Sequence, residues 1–99
     1  MIKMRRKELT WEEVKANLKL TAEEEEEIRI EEDIIRATIE ARKNKKLTQK
    51  ELSKISGVKQ PAIARIEKHI NSPQIYTLLK LLYPMGYTLR VVPIEKQKL

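Results

Sequence analysis

The chain has no cysteine, no phenylalanine, one histidine and two glycines in 99 residues. Without cysteine there is neither a disulfide scaffold nor a thiolate metal site, and the composition fits a reducing compartment. A single histidine argues against a histidine-based metal cluster and against a Ser–His–Asp triad. Two glycines cannot build a glycine-rich phosphate loop, and no nucleophile stands beside a base. The expectation is therefore a protein that is not an enzyme, with no cofactor and no metal. No apolar run approaches the ~18 residues of a membrane span, so no membrane is expected. The opening MIKMRRK is basic, as in a signal peptide, but TWEEVKANLK follows it in place of an apolar stretch. With one tryptophan, the core is aliphatic and modest, and a core of that kind gains from dimerisation or from a bound partner.

What the chain does have is charge, unevenly placed. The net charge is +6, from 21 Lys and Arg against 15 Asp and Glu. Residues 1–20 hold 6 bases and 3 acids, residues 21–41 hold 2 bases and 9 acids, and residues 42–99 hold 13 bases and 3 acids. A net −7 block followed by a net +10 half suggests two kinds of partner, one of them polyanionic.

Turn and cap signals divide the chain. Thr10/Glu13, Thr21/Glu24 and Thr48/Glu51 have capping-box spacing, and Ser72-Pro73 has the serine-then-proline order of a helix start. Five helices are predicted, over residues 11–18, 22–44, 49–55, 60–68 and 73–83. Trp11, Val14 and Leu18 form the stripe of the first. The second carries Ile28, Ile35 and Ile39 on one face, with Ile30, Ile34, Ala37 and Ala41 nearly opposite, and so asks for two packing partners. Leu52, Ile55, Val58, Ile63 and Ile66 are expected to hold the next two together, and Ile75, Leu78, Leu79 and Leu82 to bury the last. Gly57 and Gly86 stand where a positive φ ends a helix, and Pro84 should stop the last one early. Residues 87–92 alternate with period two, which predicts one C-terminal strand ended by Pro93; a lone strand must pair with its symmetry mate or with another protein.

The informative stretch is LTQKELSKISGVKQPAIARIEK, residues 47–68. Two short helices around Ser56-Gly57-Val58 make a helix-turn-helix, in which the second helix enters the major groove. The segment resembles the Cro/phage-repressor-like (XRE) family, whose motif reads roughly TQxxLAxxxGVxQxxISxxE. Thr48, Gln49, Leu52, Gly57, Val58, Gln60, Ile63 and Glu67 stand in the matching places. The resemblance implies DNA binding by Thr48, Gln49, Lys50, Lys59, Gln60, Pro61, Ala64, Arg65 and Lys68. By position Gln49 meets phosphate and braces the recognition helix. Gln60 suits adenine N6/N7, and Arg65 suits guanine O6/N7 or a phosphate. Lys45, Lys46 and Lys54 add phosphate contacts with little sequence preference, whereas Glu67, an acid that would repel phosphate, is structural. Lys46 and His69 replace the family's usual glycines, at about 1 kcal/mol each if φ is positive. Pro61 removes a polar side chain from a frequent base-contacting position.

The whole layout is similar to a narrower group, the HigA-like antitoxins of type II toxin–antitoxin systems. The likeness lies in TWEEVKANL, the acidic stretch, IIRATIEARKNKKLTQKEL, QPAIARIEK and SPQIYTLLKLLYPMGYTLRVVP. It implies a cytoplasmic antitoxin that neutralises a RelE/HigB-like mRNA-cleaving toxin and, as a homodimer on double-stranded operator DNA, represses its own operon. Trp11, Val14, Leu18, Glu23, Glu24, Glu27 and Ile28 are the toxin-facing candidates, acids steering a basic partner and apolar groups burying against it. Roles within the chain itself stay open for the same residues. Glu23–Glu27 also complements the positive end of its own helix, and Trp11 also has a place against the second helix. The expected class is all-α: a five-helix lambda-repressor-like domain over residues 21–99, motif about 48–68, preceded by a helical arm over residues 1–20 and closed by the strand. The alternative function is a stand-alone XRE-family transcriptional repressor without a toxin.

Overall fold

The computed structural model describes Glu13 and residues 19–94. The chain divides into two compact units, Met1–Ile30 and Glu31–Leu99. Four α-helices lie among the described residues: α1 (Ala22–Asn44), α2 (Gln49–Ser56), α3 (Gln60–Glu67) and α4 (Ile75–Leu82). A 3-10 turn, Tyr83–Met85, follows α4. The architecture is all-helical. Of the predicted first helix only Glu13 is described, and it is helical; Trp11, Val14 and Leu18 lie outside the described residues, as does the Thr10 capping box. Five helices are thus corrected to four among the described residues.

Two capping boxes form as their spacing predicts. Thr21 N–H donates to Glu24 Oε1 at 2.9 Å, and Glu24 N–H donates to Thr21 Oγ1 at 3.0 Å. At α2, Thr48 N–H donates to Glu51 Oε1 at 2.8 Å and Glu51 N–H to Thr48 Oγ1 at 3.0 Å. Each pair satisfies two of the amide donors that a helix start leaves without partners. Ser72 does not cap α4. The helix opens two residues after Pro73, behind an extended Gln74 that makes no side-chain cap.

The core belongs to the second unit. Ile35, Ala41, Leu52, Val58, Ile63, Ile66, Leu81, Leu82 and Met85 form one buried cluster, with Ile39, Leu47, Ala62 and Leu89 packed against it. Helix α2 packs against α3, α4 and the 3-10 turn. On α1 the buried stripe is Ile35, Thr38 and Ala41. Thr38 is tolerated there because its hydroxyl donates to the Ile34 carbonyl at 2.8 Å. Ala41 therefore faces the same way as Ile35, not with the opposite set, and Ile30 and Ala37 stay exposed.

The buried stripe of α4 also differs from expectation: Leu78, Leu81, Leu82 and the following Met85 are buried, while Ile75 and Leu79 are exposed. Ile55, expected inside, is also exposed. Pro84 ends α4 at Leu82 in a 3-10 turn, and Gly86 follows with φ 87°. The C-terminal strand does not form. Residues 87–94 carry no regular structure, because a strand needs a neighbouring ladder and the described residues of this chain contain none. No described helix is long and apolar enough to cross a membrane.

Candidate nucleic-acid interface

Helices α2 and α3 are joined by a turn that only glycine enters without strain. Gly57 has φ 81°, and its N–H donates to the Ser53 carbonyl at 2.9 Å. An added Cβ would meet nothing within 4 Å, so glycine is needed there for its backbone angle and not for space. Val58 then plugs the core, with its N–H held by Ser56 Oγ at 3.1 Å.

Helix α3 is two-faced by its period. Ile63 and Ile66 point inward, while Gln60, Pro61, Arg65 and Lys68 are exposed and Ala64 is half-buried. Those five, with exposed Lys59 just before the helix, make a face of one charge sign. Thr48 and Lys50 are exposed at the start of α2, and Gln49 is half-buried beside them. Lys45, Lys46 and Lys54 are exposed as well. The nine sequence-predicted DNA-contacting residues therefore all sit at the start of α2 or along the outer side of α3. Thr48 also serves as the helix cap, so its oxygen is already engaged.

A hydrogen-bonded chain fixes this face. Arg42, in the last turn of α1, grips Glu67 through two bonds, Nε to Oε2 at 2.8 Å and NH2 to Oε1 at 3.0 Å; its NH1 donates to the Leu47 carbonyl at 2.8 Å. Gln49 Nε2 donates to Glu67 Oε1 at 2.8 Å, and Gln60 Nε2 donates to Gln49 Oε1 at 2.9 Å. Four residues from three helices thus connect the end of α1 to the first turn of α3. The Arg42 and Glu67 side chains are only 13% and 10% exposed, which makes this paired arrangement hard to break one member at a time.

The brace uses one of Gln60's two amide hydrogens. Among the described residues its carbonyl oxygen has no partner, so the outer edge of the amide still offers an acceptor beside a donor. Glu67 is structural, as its sign required. Arg42 is the residue that sequence reasoning missed. It lies 25 positions from Glu67, and only its place as a cation in the last turn of α1 marked it at all.

Both glycine replacements fall at strained positions: Lys46 has φ 57° and His69 φ 60°. Lys46 lies between α1 and α2, His69 just beyond α3, so both ends of the motif turn through the left-handed region. Glu23, Glu24, Glu27 and Ile28 lie in the first unit, on the first turns of α1. The three glutamates are exposed and Ile28 is half-buried. Among the described residues no group of three or more acidic or imidazole side chains is placed to hold a metal.

The helix-turn-helix family model matches residues 39–92. An uncharacterized HTH-type transcriptional regulator of Haemophilus influenzae is 50% identical over 74 residues, covering 72% of this chain and 76% of that protein. A solved structure described as a toxin-antitoxin module from Streptococcus pneumoniae superposes with a TM-score of 0.64 at 44% identity, covering 88% of this chain and 96% of that one.

Proposed function

The chain belongs to the helix-turn-helix family of DNA-binding transcriptional regulators, and from that premise we propose that it is an antitoxin-type autorepressor. In this reading it binds operator DNA as a homodimer, neutralises a RelE/HigB-like toxin, works in the cytoplasm and catalyses nothing. The observation that carries the DNA half is the Arg42–Glu67–Gln49–Gln60 chain, which fixes the Gln60 amide at the start of the helix whose exposed side also carries Arg65.

Gln60 reads adenine with its carbonyl oxygen and remaining amide hydrogen, and Arg65 reads guanine or a neighbouring phosphate. Thr48, Gln49, Lys50, Lys59 and Lys68 meet the sugar-phosphate backbone, while Pro61 and Ala64 offer apolar contact at the base edges. A homodimer places its two recognition helices about 34 Å apart on an inverted repeat. Truncating Arg65 to alanine costs about 1–3 kcal/mol of operator affinity and relaxes preference at one base pair. Unchanged discrimination among mutated operators would sink that role. Gln60→Ala acts at a different base pair, whereas Lys50→Ala and Lys68→Ala each lower the salt dependence by about one ion without changing preference.

The toxin half is supported by the likeness to the pneumococcal toxin-antitoxin module and by the acid-rich start of α1, which suits a basic, RNA-gripping partner. Trp11, Val14 and Leu18 supply the apolar anchors, with Glu23, Glu24, Glu27 and Ile28 beside them in sequence. Co-expression with the product of the adjacent gene, followed by pull-down and growth rescue, tests this directly. A second reading, a transcriptional repressor with no toxin, accords equally with the Haemophilus relative, which is named as a transcriptional regulator. A chain that binds its operator but neither captures nor silences its neighbour's product would establish it.

A further inference from the structure

Every hydrogen bond in the Arg42–Glu67–Gln49–Gln60 chain runs in one sense, and that sense originates at its least exposed end. A glutamine amide can turn over and exchange its oxygen for its nitrogen, so neither glutamine alone has a preferred direction. Glu67 does have one. As a carboxylate paired with Arg42 it only accepts, and Gln49 Nε2 donates to its Oε1 at 2.8 Å. Gln49 must then turn its own oxygen toward Gln60, whose Nε2 donates to it at 2.9 Å. Gln60 is left with its carbonyl oxygen and one N–H for the outer edge. Arg42 reinforces the sense, because the two guanidinium nitrogens that grip Glu67, at 2.8 and 3.0 Å, can only donate.

We propose that Glu67 is a specificity-determining positioning residue: it selects adenine over guanine at the base pair that Gln60 reads, although its own side chain is only 10% exposed. This rests on the adenine reading above and deepens it, by naming the residue that decides which groups Gln60 presents.

Adenine offers the major groove an N6–H donor beside the N7 acceptor, which matches an oxygen beside an N–H. Guanine offers two acceptors, O6 and N7, and sets its O6 against the Gln60 oxygen. To suit guanine the Gln60 amide would have to turn over and present both of its N–H groups. Its oxygen would then face Gln49 Oε1. If Gln49 turned over as well, its oxygen would face Glu67 Oε1 instead. Whichever amides turn, one acceptor is left against another, and that contact lowers guanine affinity by about tenfold. The charge on Glu67 carries the effect, not its shape. A glutamine at 67 offers a donor as well as an acceptor, and both senses of the chain become available.

Base preferences of the full chain, measured by selection from a randomised duplex library and then on single duplexes, test this. Gln60→Ala marks the base pair that Gln60 reads, and there the wild-type chain should favour adenine over guanine by about tenfold or more. Glu67→Gln should cut that ratio to about threefold or less while discrimination at the Arg65 base pair persists. Gln49→Ala keeps the Arg42–Glu67 ion pair and hence the fold, and decides the matter if Glu67→Gln does not fold. It should collapse the same ratio by releasing the Gln60 amide, on top of a common loss of affinity for every duplex. A merely structural role would lower affinity for all four base pairs alike. An unchanged ratio in either folded variant would therefore overturn the role of Glu67 and leave the adenine reading standing. A wild-type chain with no adenine preference that Gln60→Ala removes would overturn both.

Discussion

Helix α1 runs through two regions that are supported by different physics. From Glu31 onward the chain contains every buried apolar side chain among the described residues, beginning with Ile35. From Lys19 to Ile30 no described side chain is buried at all. There the helix rests on local devices: the Thr21 capping box, acids in the first turn facing the positive end of the helix, and the Glu26–Arg29 ion pair. Such devices contribute tenths of a kcal/mol to about one each, whereas a buried leucine contributes several. The difference teaches that one continuous helix can be held by tertiary packing at one end and by its own local contacts at the other.

The largest expected break of that contrast is in the core. Leu52→Ala, at a fully buried position, should cost about 2–5 kcal/mol by denaturant titration, while Ile28→Ala in the acidic stretch should stay within about 0.5 kcal/mol. Next comes the ion pair. Arg42→Ala strands Glu67 in a nearly buried setting and should cost about 3 kcal/mol, and it should also weaken operator binding by freeing Gln49 and Gln60. Breaking the exposed Glu26–Arg29 pair with Glu26→Gln should cost no more than about 0.5 kcal/mol, and less in high salt. Equal losses at the two pairs would remove the distinction between the regions.

The caps give a finer comparison. Thr48→Ala should lower global stability by about 1 kcal/mol. Thr21→Ala, in the same local motif, should leave the global transition unmoved and appear only as faster amide exchange in the first turns of α1. The smallest effect is a gain: His69→Gly, relieving a left-handed non-glycine residue, should stabilise the chain by about 1 kcal/mol at most, read as a rise in melting temperature.

Much of this was legible beforehand where the information is local. The bounds of α1, the start of α2, both described capping boxes, the Gly57 turn and the positive φ of Lys46 and His69 follow from residues within four positions of one another. So does the outward face of α3, because helical period separates Ile63 and Ile66 from Gln60 and Arg65. The stripe of α4 differs because its apolar residues are dense enough to fit two overlapping faces, and only the packing against α2 selects Leu78, Leu81 and Leu82 over Ile75 and Leu79. Ile55 was misassigned for a related reason: apolar spacing identifies a candidate for burial but not whether another element covers it.

The sequence by itself determined the local grammar: which segments are helical, where the motif turns, and where charge of each sign accumulates. Those properties depend on backbone geometry, capping and period, and near neighbours are enough to set them. The tertiary structure alone decided that Arg42 clasps Glu67 across 25 positions, that Gln49 passes the brace to Gln60, and that Ile55 of α2 meets Tyr76, Leu79 and Tyr87 around one apolar groove. Those depend on which surfaces meet after the chain has turned, and a pairing between distant residues leaves no mark in the local pattern of either.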